Sequence, residues 1–223
     1  VARRTGLNPY GPDRRRFNRI AGSLLLAASL LLACPRPALA DPLKILAFGD
    51  SLTAGLGLTL DDSFPVRLQA ALAHDGRAAT VTNGGISGDT TAGGLARLDW
   101  ALADHPDIAL VELGANDALR GIDPKSAYAN LDAILARLVA AGVKPVLFGM
   151  KAPDNWGPDY QRAFDRIYPD LAGKYKIPLY PFFLDGVALD PRYTQPDRMH
   201  PNAAGVMVIV GHVLPVVEAA LPH

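Results

Sequence analysis

The sequence predicts an α/β protein, a three-layer α/β/α sandwich around a central parallel sheet of about five strands. Three observations carry this expectation. Short runs of branched or apolar residues recur along the chain, each ending in Gly, Asn or Pro. Longer segments with apolar residues at helical spacing separate them. No repeat, linker or low-complexity stretch follows Ala40. Alternation of this kind folds as a parallel sheet with helices on both faces and right-handed crossovers.

In chain order, the strands are expected at Leu43–Phe48, Ala79–Asn83, Ile108–Leu113, Val143–Gly149 and Ile177–Pro181. The helices are expected at Ser63–His74, Thr90–Asp104, Pro124–Ala141, Asp159–Tyr175 and Asn202–Leu221. Pro124 and Pro201 suit first helical turns, where the missing N–H is not needed.

Residues 1–40 read as an export signal rather than as structure. The basic stretch Arg14-Arg15-Arg16-Phe17-Asn18-Arg19 precedes an apolar run from Ile20 to Ala33, and Ala38-Leu39-Ala40 has the small-x-small pattern of a cleavage site. That run is short for a membrane span of about 20 residues. The expected mature domain is therefore 41–223, periplasmic or secreted. The arginines before Phe17 resemble a twin-arginine signal, and Leu31-Leu32-Ala33-Cys34 loosely resembles a lipoprotein box; the bulky Leu32 favours simple secretion over lipid anchoring at Cys34.

Removing residues 1–40 takes away seven arginines and one acid, leaving 15 basic against 21 acidic residues, a net charge near −6. With no Lys/Arg run, a nucleic-acid partner is not expected. Cys34 is the only cysteine, so the mature domain has neither a disulfide nor a thiolate metal site. No His/Asp/Glu grouping has metal-ligand spacing. Gly49-Asp50-Ser51 lacks both the Walker lysine and the dinucleotide spacing, so no cofactor is expected. Ser51 is not in G-x-S-x-G either, which argues against an α/β-hydrolase nucleophile elbow.

Four short segments carry the chemistry, each just after a strand or just before a helix: Gly49–Gly55, Asn83–Thr90, Glu112–Asp117 and Asp197–His200. Alone, each has a plain structural explanation. Gly-Asp-Ser is a common turn and helix cap, Asn83–Thr90 a tight turn, Gly114-Ala115-Asn116-Asp117 the start of a helix, and Asp197 with His200 an exposed pair. Together, in this order, they supply a serine, an imidazole and an orienting carboxylate, the parts of an activated oxygen nucleophile.

In these segments the chain resembles the SGNH, or GDSL, hydrolase family over essentially the whole mature sequence. Within that family it is similar to the secreted thioesterase I/lysophospholipase L1/arylesterase group, which Asp117-Ala118-Leu119-Arg120-Gly121 and Ile167-Tyr168-Pro169 also resemble. The resemblance implies the SGNH hydrolase fold, with its strands in flavodoxin-like order, and a serine esterase acting through an acyl-serine intermediate. Ser51 would be the nucleophile, His200 the base and Asp197 its orienting partner. The backbone N–H groups of Ser51 and Gly88 and the amide of Asn116 would form the oxyanion hole. Activity should rise as the imidazole loses its proton.

Loops Ala118–Ile122 and Lys151–Tyr160 are placed to border an acyl groove, with Leu119, Pro153 and Trp156 as candidate substrate-binding residues. Trp156 could equally pack its loop onto the body. Carboxylic esters, lysophospholipids and acyl thioesters are all permitted by the resemblance; export favours the first two. The expected partner is a small-molecule acyl ester, with transient lipid contact and a monomeric enzyme. Three rivals stand beside this: a carbohydrate O-acetyl esterase of the same fold, a non-catalytic binding module, and a flavodoxin-like electron carrier.

Overall fold

The computed structural model describes residues 1, 2 and 42–222. The export signal expected at 1–40, with Cys34 and the expected cleavage site after Ala40, falls almost wholly outside the described residues.

Five parallel strands form one sheet: β1 (Leu43–Gly49), β2 (Ala79–Gly85), β3 (Ile108–Glu112), β4 (Lys144–Phe148) and β5 (Leu179–Tyr180), in the order β2-β1-β3-β4-β5. The central strands are apolar along most of their length because both faces are covered; every residue of Ile108–Glu112 is buried, the terminal Glu112 included. On one face the helices Phe64–His74 and Ala203–Ala220 pack together, and on the other Thr91–Ala101, Pro124–Ala140 and Ile167–Tyr175 do so in turn. Ala203–Ala220 is apolar and long enough to cross a membrane, but Val206, Ile209, Val210, Val213 and Val217 are buried in the core, the role its composition serves in this fold. Phe64, Phe148 and Phe183 meet at ring-centroid distances of 5.0 to 6.1 Å, two of the contacts edge-on and one stacked.

The register matters most for function. Gly85, Gly49, Glu112, Phe148 and Tyr180 are paired across the sheet as its last rung. The chain leaves that rung into the segments that carry Gly88, Ser51, Asn116 and Lys151, so one sheet edge sets their relative heights.

Two expectations are corrected. Asp159–Tyr175 is not one helix but two, Pro158–Asp165 and Ile167–Tyr175. Pro169 has no N–H to offer the carbonyl of Asp165, and its ring crowds that carbonyl, which favours a break at this point. The last strand is also shorter than Ile177–Pro181, reduced to Leu179–Tyr180 on an edge that pairs on one side only. Short helices at Ser51–Ala54 and Ala115–Leu119 add to the expected set and are too brief to show a periodicity.

Candidate active site

Ser51 opens the Ser51–Ala54 helix immediately beyond β1. Asp50 caps that helix, its Oδ1 accepting the Leu52 N–H at 3.0 Å. The cap turns the chain sharply and leaves the Ser51 side chain 8% exposed, buried except toward the cavity it lines.

His200 comes from the far end of the chain. Its Nε2 lies 2.9 Å from Ser51 Oγ, and its Nδ1 lies 2.6 Å from Asp197 Oδ2. The other carboxylate oxygen of Asp197 accepts the backbone N–H groups of Met199 (2.9 Å) and His200 (3.0 Å), so one side chain fixes both the turn and the ring. The His200 contact and these two N–H groups hold the Asp197 carboxyl down at about 2. Gln195 ties the segment to the serine side, its Nε2 donating to the carbonyls of Leu56 (2.7 Å) and Pro201 (2.9 Å). With an imidazole between a hydroxyl and a carboxylate, the group can take the serine proton and be stabilised as imidazolium.

Asn116 lies in the short helix after β3, and its Nδ2 donates to Asp50 Oδ2 at 3.0 Å. Asp50 is fully buried, and that burial pushes its carboxyl up to about 6 against the pull of the Leu52 N–H and the Asn116 amide. Gly88 adopts φ +85°, a conformation that glycine reaches without a Cβ penalty, and its carbonyl accepts from Arg120 Nη2 at 2.9 Å.

Ser51, Gly88, Asn116 and His200 line one cavity of about 700 Å³. This volume suits a small organic ligand. Its walls are largely apolar and include Leu56, Leu119, Pro153, Leu189 and Met199, with Lys151 and Arg198 among the charged contributors. Leu119 and Pro153 are thus placed on the cavity, and Trp156 is not. The indole N–H of Trp156 donates to the Ala118 carbonyl at 2.8 Å and its ring covers Gly121, contacts that pack the Asp154–Trp156 turn onto the body.

Two further side chains support the site, Arg97 from outside the four segments and Asp117 from within one of them. Arg97 donates to Asp89 Oδ2 (2.6 Å) and to the carbonyls of Gly84 (2.8 Å) and Gly49 (2.9 Å), with its guanidinium 4.2 Å from the Phe48 ring centroid. Asp117 accepts from both the N–H and the hydroxyl of Thr91, at 2.8 and 2.6 Å. Arg97 thereby ties its helix to the ends of β1 and β2, and Asp117 ties the short helix after β3 to the start of Thr91–Ala101.

Residues 47–207 match the GDSL-like lipase/acylhydrolase family. The chain is 41% identical over 178 residues to an arylesterase of Vibrio mimicus, covering 79% of this chain and 89% of that protein. It is 42% identical over 187 residues to thioesterase 1/protease 1/lysophospholipase L1 of Escherichia coli strain K12, covering 83% and 88%. The crystal structure of TesA superposes with a TM-score of 0.76 at 40% identity, covering 80% of this chain and 99% of that one. On this family match and these identities over most of both chains, the chain belongs to the GDSL-like lipase/acylhydrolase family.

Proposed function

We propose that this protein is an exported serine esterase whose nucleophile is Ser51, with His200 as general base and Asp197 as its orienting partner. The observation that carries the reading is the continuous contact from Ser51 Oγ to His200 Nε2 and from His200 Nδ1 to Asp197, opening on an apolar cavity. As Ser51 Oγ attacks the ester carbonyl carbon, neutral His200 takes its proton on Nε2. Asp197 holds Nδ1–H and stabilises the imidazolium. Charge on the carbonyl oxygen is met by the N–H groups of Ser51 and Gly88 and the Asn116 amide. His200 then gives its proton to the departing oxygen, leaving an acyl-serine. Water attacks that ester with His200 again as base, and the proton returns to Ser51 Oγ.

The acyl chain lies along Leu119 and Pro153. Leu56, Leu119, Leu189 and Met199 line the same cavity yet remain 46 to 79% exposed, a wet apolar rim suited to transient contact with lipid or with amphiphilic substrates. Esters and lysophospholipids are the substrate class we favour over acyl-CoA thioesters, because an enzyme exported through the leader at 1–40 would be separated from cytosolic thioesters. All the catalytic groups come from one chain, so the mechanism needs no second copy.

The test is fluorophosphonate labelling of residues 41–223, with Ser51→Ala alongside and peptide mass spectrometry to locate the adduct. An adduct on Ser51 that abolishes p-nitrophenyl ester hydrolysis is expected. A folded protein that takes no label would return the chain to the binding-module reading. Preference for acetylated glycans over acyl chains of six or more carbons would make it an O-acetyl esterase, and far faster cleavage of palmitoyl-CoA than of any ester would overturn the substrate assignment.

A further inference from the structure

Glu112 ends β3 and is paired with Gly49 on the last rung of the sheet, directly behind the serine turn. It is 1% exposed. Its Oε2 accepts the Thr53 hydroxyl at 2.7 Å and the Asp50 N–H at 3.3 Å, while Oε1 has no hydrogen-bond partner among the described residues. Burial first, and then the neighbouring Asp50, raise its pKa well above the ordinary carboxyl range. A buried acid with one oxygen unmet costs stability, and a hydrocarbon of similar volume would fill the space more cheaply. What the carboxyl supplies instead is two bonds that fall on residues 50 and 53, on either side of Ser51. The chain makes room for them at Gly49, where a Cβ would lie 2.5 Å from Glu112 Oε2 and 2.1 Å from Thr53 Oγ1.

We propose that Glu112 is a positioning residue for ester hydrolysis, a buried clamp that holds the Asp50–Thr53 turn so that Ser51 and Asn116 meet the substrate together. The proposal rests on the esterase reading above. Asp50 is the link: its backbone N–H is held by Glu112, its Oδ2 holds the Asn116 amide, and Ser51 is the next residue. Releasing the Glu112 contact therefore displaces the nucleophile and an oxyanion donor at once. Misplacement of reacting groups by about 1 Å can cost about 100-fold in rate without weakening substrate binding.

The test compares kcat and KM on a p-nitrophenyl ester for wild type, Glu112→Leu, Glu112→Gln and Thr53→Val, each with a thermal melt and a rate of fluorophosphonate labelling at Ser51. Glu112→Leu is expected to lose about tenfold or more in kcat with KM changed by less than about twofold. Glu112→Gln keeps an acceptor oxygen and should retain most of the activity, with Thr53→Val between the two. Labelling rates should follow kcat. Undiminished kcat in a folded Glu112→Leu, or a Glu112→Gln variant as impaired as Glu112→Leu, would overturn the clamp. If Glu112→Leu does not fold, the nearly isosteric Thr53→Val decides: wild-type kcat there overturns the proposal. An inert wild type sinks the esterase reading itself, whereas an active wild type with unaffected variants sinks only the clamp.

Discussion

Asn116 donates one side-chain N–H to Asp50 Oδ2 at 3.0 Å, and no other described residue takes the second N–H on the same nitrogen. One bond thus orients the amide and leaves a donor over for a ligand in the cavity that Asn116 lines. Asn116→Ala should lower kcat by about 10²- to 10³-fold with a small change in KM, since the lost interaction strengthens only as charge builds on the carbonyl oxygen. Asn116→Asp should be at least as damaging, because it sets a second carboxylate against Asp50. Steady-state kinetics on one chromogenic ester checks both.

Asp197→Asn tests the orienting role. An amide can present N–H toward His200 Nδ1 and stabilise the wrong tautomer, so kcat should fall by between about 10²- and 10⁴-fold while Ser51 stays in place. Asp197→Ala also gives up the bonds to the Met199 and His200 N–H groups and should lose thermal stability as well. Equal melting temperatures for the two variants would contradict the double use of this carboxylate.

The pH dependence of stability separates two carboxyls. Asp50 is pushed from 3.8 to about 6 in the folded protein, so the folded chain binds that proton more tightly than the unfolded chain. Its contribution to stability is therefore lost as pH rises through that window, by on the order of 3 kcal/mol. Asp197 has the opposite sign: held at about 2, it stabilises above the ordinary carboxylate range and loses that effect as pH falls toward 2. Denaturant melts at pH 4 and pH 7 should show a smaller decline for Asp50→Asn than for wild type. An identical decline would show that Asp50 is not the titrating group.

At the cavity rim, Leu119→Ser and Leu189→Ser should raise KM for long-chain esters by up to about tenfold each, the value of one apolar side-chain contact, and leave acetate esters unaffected. A chain-length series on p-nitrophenyl esters reads this directly. A uniform loss across all chain lengths would place these residues outside the acyl path.

The elements and the four chemical segments were legible because each is written locally: apolar runs make strands, and Gly, Asn and Asp mark the turns that follow them. Ser51 was visible from its place after β1, and Asp197 with His200 from their spacing. Pro169 was equally visible, but the helical spacing around it hid the break it forces. Arg97 lay outside the four segments, and although Glu112 and Asp117 lay within one of them, their contacts were not legible, because their partners Asp50, Thr53 and Thr91 are brought alongside only by sheet register and helix docking. Trp156 was undecided in sequence because an indole serves a ligand wall or a loop anchor equally well; the Ala118 carbonyl and the space above Gly121 settle its packing.

Ser51 and His200 are separated by 149 positions, and the imidazole is seated by the turn that leads into the final helix, which packs against Phe64–His74 near the start of the domain. A polypeptide synthesised only through its fifth strand carries Ser51, Gly88 and Asn116 but not His200. On the proposed mechanism, hydrolysis would therefore begin only when the two ends of the domain meet. If Ser51 and His200 act as proposed, an incomplete or unfolded chain would spare the esters around it, and the onset of activity would be a clock for the completion of folding.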